Sequence, residues 1–259
     1  MEWILRKLDE GYVTYVPGIL GNKGWKDSRD GIVDENGNPP KPPVALVEVQ
    51  GYAHWALRLA GELGLTELDE KELLTEAERL RKRFNRDFWL GSHYALALDG
   101  DGRPLKPVSS NMGGHILLTG IAEHEGEIVE RLFQPDMLSS YGIRTLSAGE
   151  RAYDPPFSYH RGSVWPHDNA LIALGLARIG KANLARELME RVFAAAKLMP
   201  WKELPELYSG LDDLVPVPRA NSPQAWSAAS VFAFLTASLG MESGDELKVK
   251  PAEGMRVIL

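Results

Sequence analysis

Apolar residues recur along this chain three or four positions apart, in segments separated by polar and proline-rich stretches. That spacing places the apolar side chains on one face of a helix, and the strict alternation typical of strands is almost absent. The pattern predicts about eight helices. They lie within residues 1–11 and over residues 46–63, 68–85, 112–122, 125–133, 164–179, 181–197 and 223–239.

The predicted helices are of two kinds. Segments 68–85 and 181–197 carry one apolar stripe and a charged remainder, so one face of each is in contact with water. Segments 168–180 and 225–240 are apolar on nearly every side, which is typical of helices buried all round. Their alternation predicts two concentric layers, an inner ring of buried helices and an outer ring around it.

Long loops rich in Trp, His, Tyr, Asp and Glu precede the apolar helices. Polar and aromatic residues gathered at one end of a buried helical layer predict the mouth of a pocket. Before the last helix we expect Ser222 to act as the N-cap and Pro223 to occupy the first helical position.

Composition narrows the function classes. The 259 residues carry a net charge of −7 and no cysteine, which disfavours nucleic-acid binding and excludes disulfides, a thiolate nucleophile and Cys-ligated metals. Apolar runs are too short for a membrane span, and the N-terminus is too polar for a secretory signal. We therefore expect a cytoplasmic protein with neither a nucleic-acid nor a membrane partner.

Motifs for nucleotide binding, for a serine nucleophile elbow and for a zinc-binding helix are missing. We accordingly predict no cofactor and no metal. The remaining candidates are carboxylates near aromatic residues. They are Asp27 and Asp30 in "GWKDSRDG", Glu203 and Glu206 in "PWKELPELYSG", Glu48 in "EVQGY", and Asp168 beside His167 in "VWPHDN".

Glycoside hydrolysis uses this inventory, because one protonated carboxyl group donates to the leaving oxygen and one carboxylate activates water. Trp25 lies two residues before Asp27, and an apolar neighbour raises a carboxyl pKa. Structural explanations stay open beside this one. They are a turn former for Asp27, a turn cap for Glu206, core packing for Trp165 and Trp226, and an ordinary buried histidine for His167.

Several motifs resemble a known family in the order in which they occur. They are "GWKDSRD", "PPVALVEVQGYAHWALR", "SSNMGGHILLTGI", "LFQPDMLSSYGIRTLS", "YHRGSVWPHDNALIALGL", "LPELYSG" and "NSPQAWSAAS". Together they resemble the C-terminal catalytic region of the amylo-α-1,6-glucosidase, or glycogen-debranching, family. The resemblance runs from about residue 10 to about residue 240.

This resemblance implies an (α/α)6 toroid, with six inner and six outer helices, that hydrolyses α-glucosidic bonds with inversion. Carried over by motif, Asp27 would be the general acid and Glu206 the general base. The sugar pocket would be lined by Trp25, Glu48, Gln50, Tyr52, His160, Trp165, His167, Asp168 and Gln224. Asp30 is expected to be a structural cap.

The toroid of the family has twelve helices, whereas this chain predicts about eight. We therefore expect one helical catalytic-type domain over residues 1–259 that lacks the N-terminal helices of the toroid. Another chain supplies the missing helices, or two copies cover each other's open edges, or the chain is a fragment of a longer protein. An open ring exposes apolar faces, which predicts association as a homo-oligomer or with a second chain. The expected substrate is an α-glucan or a small α-glucoside.

Two alternatives remain open. The chain could be a non-catalytic, carbohydrate-binding or partner subunit of a split glycosidase. It could also be a toroidal glycosidase for another α-glycoside, such as glucosylglycerate, mannosylglycerate, trehalose or an α-1,4-glucan.

Overall fold

The computed structural model describes residues 1–200, 202–242 and 248–253. These residues contain eight α-helices and a short 3-10 helix, Ser110–Met112. The α-helices are α1 (Glu2–Asp9), α2 (Val47–Leu63), α3 (Glu70–Asp87), α4 (Gly114–Leu117), α5 (Glu125–Leu132), α6 (Pro166–Arg178), α7 (Ala182–Leu198) and α8 (Ala225–Leu239). The predicted all-α class is confirmed.

Strands within the described ranges are two residues long and form antiparallel pairs. They are β1 (Ala45–Leu46), β2 (Ala97–Leu98), β3 (Leu138–Ser139), β4 (Gly142–Ile143), β5 (Met241–Glu242) and β6 (Lys248–Val249). β1 pairs with β2 immediately before α2 begins. This pairing fixes the start of α2, which is where Glu48 lies.

The helices form two layers in an alternating order. In the inner layer, α2 packs against α4, α4 against α6, and α6 against α8. Outside them, α3 packs against α2, and α7 lies against both α6 and α8. The arrangement is a partial (α/α) barrel, and it confirms the layers expected from the two kinds of helix.

The sequence of α3 shows how an outer helix forms. The Asp69 side chain accepts a hydrogen bond from the Glu72 amide at 2.8 Å and caps the helix. A stripe that includes Leu73, Leu80 and Phe84 is fully buried, while charged residues cover the other face. Burial of each large apolar side chain contributes about 1.5–3 kcal/mol, so this stripe holds α3 against α2.

Glycines allow the backbones of α4 and α6 to touch. A Cβ atom on Gly114 would overlap the backbone between Leu171 and Ile172. On the facing helix, a Cβ atom on Gly175 would lie 2.7 Å from the Cβ of Leu117. Because any side chain would push the two helices apart, this contact depends on glycine at both positions.

Two predicted boundaries were wrong. Segment 112–122 is not one helix, because Gly113 has φ −83° and ψ −117°, which separates the 3-10 turn from the four-residue α4. The last helix is capped by Gln224, whose side-chain oxygen accepts from the Trp226 amide at 3.2 Å. The hydroxyl of Ser222 donates to Glu203 instead, so neither Ser222 nor Pro223 begins the helix.

The prediction that α8 is buried on every side was also wrong. Phe232 is 74% exposed, and Trp226 and Leu235 are each 39% exposed. α6 and α7 cover the opposite side of α8. The helix therefore presents an open apolar face, although within the described residues no helix is both long and apolar enough to cross a membrane.

Candidate active site

The predicted site residues gather where the inner helices begin. Glu48 lies in the first turn of α2, Asp168 in that of α6, and Gln224 caps α8. The loop of residues 21–31 meets these helix starts through Trp25. The site is therefore built at the N-terminal end of the inner layer.

Trp25 is the hub of an aromatic cluster. Its ring stacks on His115 of α4, with centroids 5.5 Å apart and an interplanar angle of 18°. It meets three further rings edge to face, those of His160 at 5.4 Å, Trp165 at 5.7 Å and His167 at 5.2 Å. His167 in turn stacks on Trp226, 4.0 Å away. These contacts join α4, α6 and α8 around one side chain.

Asp27 is exposed at a point where both of its neighbours are held. Before it, the Lys26 ammonium donates to Ser109 Oγ at 2.7 Å and to the Thr145 carbonyl at 2.5 Å. After it, Ser28 Oγ lies 2.8 Å from His160 Nδ1. Across residues 1–200, 202–242 and 248–253, the Asp27 carboxylate has no hydrogen-bond or ion-pair partner. The backbone is fixed while the carboxyl group stays available.

Glu206 is only 5% exposed and is held by several donors. Its Oε2 accepts from the Asn221 backbone amide at 3.0 Å and from the Asn221 side chain at 2.8 Å. Oε1 accepts from Gln224 Nε2 at 3.4 Å. Burial raises the pKa of Glu206, but hydrogen bonds from Tyr159, Asn221 and Gln224 outweigh it and hold the pKa below its usual value. Glu206 is therefore a carboxylate at neutral pH.

Tyr159 links the two predicted carboxylates. Burial raises the pKa of its phenol, and the hydrogen bond to Glu206 and the charges of Glu206 and Asp27 raise it further. Both carboxylates thus lie within electrostatic reach of one side chain. Asp27 and Glu206 therefore both lie near Tyr159.

Two more carboxyl groups are completely buried beneath the aromatic cluster. Asp168 Oδ1 accepts from His115 Nε2 at 3.1 Å, and the Tyr52 hydroxyl contacts the other nitrogen of that ring. Burial raises the pKa of Asp168, but the hydrogen bond and charge of His115, together with His167 and Ser110, outweigh it, so this pKa lies below its usual value. Burial raises the pKa of Glu48.

Unpartnered polar atoms collect in this cluster. Among the described residues, no hydrogen-bond partner reaches Glu48 Oε1 and Oε2, Asp168 Oδ2, His160 Nε2, His167 Nδ1 or Trp25 Nε1. Burial lowers the pKa of His160 well below its usual range and that of His167 to about 4, so both rings are neutral at neutral pH. The part of the chain that the structure describes brings no three His, Asp or Glu side chains together as metal ligands.

The predicted pocket residues differ in whether their polar groups are free to contact a ligand. Gln50 is remote from the cluster's open groups, because its amide donates to the Val13 and Leu46 carbonyls and accepts from the Val13 amide. Trp165 is fully buried, and its Nε1 donates to the Tyr159 carbonyl. It therefore packs beneath the aromatic cluster and offers no surface to a ligand. Tyr52 joins the cluster through His115, and Gln224 joins through Glu206.

Asp30 has a structural contact, although it does not cap a helix. Its Oδ2 lies 3.0 Å from Arg161 Nε and accepts from Ser158 Oγ at 3.2 Å. This pair ties the loop of residues 21–31 to the loop that carries Tyr159 and His160.

Sequence reasoning missed four residues of the site, His115, Tyr159, Lys26 and Asn221. All four lie inside motifs that were already singled out, so their positions in the sequence were available. Their hydrogen-bond and ring partners could not be predicted, because the contacts join separate segments of the chain. Lys26 and Ser109, for example, are 83 residues apart.

An arc of paired helices, with acidic and aromatic side chains where the inner helices begin, is the arrangement expected of toroidal glycosidases. A family model supports this class. The model of the mannosylglycerate hydrolase MGH1-like glycoside hydrolase domain matches residues 6–212, and the chain belongs to this family. No curated protein matches the chain.

Solved structures show the same fold. One is the GH63 mannosylglycerate hydrolase from Thermus thermophilus in complex with glucose, 22% identical with a TM-score of 0.58 over 74% of this chain and 45% of that one. Another is the neutral trehalase Nth1 from Saccharomyces cerevisiae, 14% identical with a TM-score of 0.60 over 82% and 41%. A sialidase is 13% identical, with a TM-score of 0.70 over 96% and 24%.

This chain spans less than half the length of these three structures. The prediction of a toroidal glycoside hydrolase family is confirmed by the family match and the shared fold. The narrower assignment to glycogen-debranching enzymes remains a prediction, because the matching family is the MGH1-like one.

Proposed function

We propose that this chain is the catalytic region of an inverting α-glycoside hydrolase, with Asp27 as general acid and Glu206 as general base. The observation that carries the proposal is the contrast between two carboxyl groups that both lie near Tyr159. Glu206 is held ionised by Tyr159, Asn221 and Gln224, whereas Asp27 is unpartnered on a clamped loop. An inverting site needs one carboxylate that activates water and one carboxyl group that is free to donate to the leaving oxygen.

The reaction follows from these roles. Glu206 accepts a proton from a water molecule while the water oxygen attacks the anomeric carbon. Asp27 in its protonated form donates to the glycosidic oxygen as the bond between that oxygen and the anomeric carbon breaks. The released sugar has the inverted configuration, and about 6.5–9.5 Å between the carboxyl groups leaves room for the water. Asp27 is exposed, so it regains its proton from solvent.

The unpartnered polar atoms support a sugar as the ligand. Buried polar groups in proteins nearly always have hydrogen-bond partners. Here Asp168 Oδ2, His160 Nε2 and His167 Nδ1 have none among the described residues. A pyranose offers hydroxyl groups that both donate and accept, and the Trp25 and Trp226 rings offer apolar faces for its C–H groups.

For the substrate we propose a small α-glycoside of mannose or glucose. The support is the name of the matching family together with the two named hydrolases of similar fold. An α-1,6-linked glucan, as cleaved by amylo-α-1,6-glucosidases, is the second candidate because of the motif resemblance. Both candidates share the α-anomeric bond that the two carboxyl groups would cleave.

The test is hydrolysis of a panel containing mannosylglycerate, trehalose, isomaltose and maltose. We expect hydrolysis of at least one of these glycosides. Proton NMR during the first minutes should show that the sugar whose anomeric carbon is attacked is released as the β-anomer. Asp27→Asn and Glu206→Gln should each lower kcat by about 10²–10⁴-fold, because each removes one proton-transfer group. Full activity in either variant would remove that residue from the mechanism.

Matched controls lie beside each residue. Asp30→Asn changes the other aspartate of the same loop, and Glu203→Gln changes the other glutamate of the same motif. Each substitution keeps a side-chain oxygen that can still accept from the existing partner, Arg161 for Asp30→Asn and Ser222 for Glu203→Gln, so both variants should keep most of the activity.

A second candidate function is a carbohydrate-binding subunit without turnover. It is favoured by the exposure of Asp27, since general acids usually act in enclosed, water-poor sites. Calorimetric binding of the same sugars, unchanged in Asp27→Asn and with no hydrolysis by the wild-type chain, would select this function. We also propose that a second copy or another chain covers the open face of α8.

A further inference from the structure

A completely buried lysine adjoins the proposed general acid. Lys26 Nζ donates to Ser109 Oγ at 2.7 Å and to the Thr145 carbonyl at 2.5 Å. Ser109 Oγ also donates to Asn111 Oδ1 and lies 3.0 Å from the Thr145 carbonyl. One ammonium group thus ties the loop of residues 21–31 to the segment before α4 and to the segment after β4.

The same ammonium lies against the aromatic hub. Its Nζ is 5.3 Å from the centre of the Trp25 ring. On the other side of Asp27, the Ser28 hydroxyl is held by His160. The backbone of Asp27 is therefore fixed by contacts on both sides, and rotation of its own side chain is the freedom that remains.

We propose that Lys26 is a positioning residue for Asp27, holding the loop so that the Asp27 carboxyl group reaches the glycosidic oxygen. This inference rests on the proposed function. A lysine is costly to bury, so its fully buried position needs the two hydrogen bonds and the neighbouring charges to stabilise it. Proton transfer is sensitive to displacements below 1 Å, so a loosened loop lowers kcat even when the sugar still binds.

Several charged or titratable groups face the Lys26 ammonium. Asp168 and Glu48 favour its charged form, while its own charge disfavours protonation of His160. Burial is the larger effect and lowers the pKa of Lys26 to about 7. We therefore expect the alkaline limb of the kcat profile to change when Lys26 is replaced.

The test combines amide hydrogen exchange with kinetics on Lys26→Met. Lys23→Met is the matched control, since Lys23 lies three residues earlier in the same loop and is exposed. We expect Lys26→Met to speed exchange within residues 21–31 by at least about tenfold and to lower kcat by about 10- to 100-fold, with KM within about twofold. The substrate is whichever glycoside of the panel the wild type cleaves fastest. Lys23→Met should change neither quantity.

Unchanged exchange in residues 21–31 of Lys26→Met would overturn the proposal, as would equally faster exchange in all helices. If Lys26→Met does not fold, Ser109→Ala removes one acceptor and keeps the lysine. Faster exchange confined to residues 21–31 in Ser109→Ala supports the proposal, and wild-type exchange there overturns it. Since exchange needs no turnover, this result is separable from failure of the proposed hydrolysis, which Asp27→Asn reports.

Discussion

Lys26, His167 and Glu206 belong to one candidate site, yet their surroundings set different charge states. Burial lowers the pKa of Lys26 to about 7 and that of His167 to about 4. Burial acts in the opposite direction on Glu206, but three hydrogen-bonding neighbours outweigh it and keep the pKa low. At neutral pH the site thus holds an ionised glutamate, a neutral imidazole and a lysine near its titration midpoint.

The lowered pKa of Lys26 predicts how stability changes with pH. Below pH 7 the lysine is charged in both the folded and unfolded states, so the folded state bears the full cost of burying the charge. Between about pH 7 and the ordinary value of 10.5, the unfolded state binds more protons, and the free energy of unfolding rises with pH. The rise approaches about 1.4 kcal/mol per pH unit.

Denaturant unfolding of the wild type and of Lys26→Met from pH 6 to 9.5 tests this. The quantity to follow is the difference between their free energies of unfolding as pH rises. Groups that do not interact with Lys26 titrate alike in both proteins, so their contributions cancel in the difference. The wild type should gain stability relative to the variant as pH rises above 7. A difference that stays flat over this range would show that Lys26 keeps an ordinary pKa in the folded protein.

In this site, the sequence could identify candidate residues only where they belong to a recognisable motif. Asp27 and Glu206 were predicted because each lies in a motif, and in the structure both lie near Tyr159. The role of Lys26 could not be predicted, because Thr145 is 119 residues away and its carbonyl leaves no trace in the side-chain pattern. Gln50 shows the reverse, since its motif position suggested a ligand and its backbone partners became visible only in the fold.

At the scale of elements, helix periodicity predicted the long helices well. α3 and α7 lie within two residues of their predicted bounds, because an apolar stripe against charged residues marks both ends. α4 was predicted far too long, since apolar composition continues past Leu117 while the backbone turns away. The apolar pattern cannot show the backbone geometry at Gly113, and this geometry decides where α4 begins.

The contact between α4 and α6 gives a prediction about packing. Gly114→Ala places a Cβ atom on the backbone of α6 at Leu171 and Ile172, where no flexible side chain can move aside. We expect the free energy of unfolding to fall by about 3 kcal/mol, the upper end of the usual range for overpacking. The midpoint of chemical denaturation measures it.

Gly126→Ala is the control, because this exposed glycine of α5 has nothing within 4 Å of an added Cβ atom. Alanine is the better helix former by about 0.5–1 kcal/mol, so this variant should be slightly more stable than the wild type. Equal stability of the two variants would mean that α4 and α6 are not in backbone contact.

At the scale of the whole molecule, the inner layer ends at an open side. α2, α4, α6 and α8 follow one another in contact, and the outer face of α8 then exposes Phe232 and Leu235. The sequence predicted an arc of helices and apolar inner faces. It did not predict which face of α8 stays open, since that depends on which neighbours the described chain places beside it.

The open face predicts association. Phe232 and Leu235 are three residues apart on α8, so their exposed side chains lie on one apolar helix face, which in soluble proteins marks an interaction surface. We expect the wild-type chain to self-associate with rising concentration, as measured by light scattering after gel filtration. Phe232→Glu should weaken this association by at least about tenfold, because loss of a central aromatic contact costs about 2 kcal/mol or more.

Phe157→Glu separates this effect from a general change in charge and hydrophobicity. Phe157 is also 74% exposed, but it lies in the loop before Tyr159 rather than on α8. If both variants dissociate equally, association does not use the α8 face. If the wild type is monomeric at all concentrations, self-association fails, and the remaining hypothesis is a different chain. That chain should then bind the wild type more tightly than it binds Phe232→Glu, since the same apolar face would be buried in either complex.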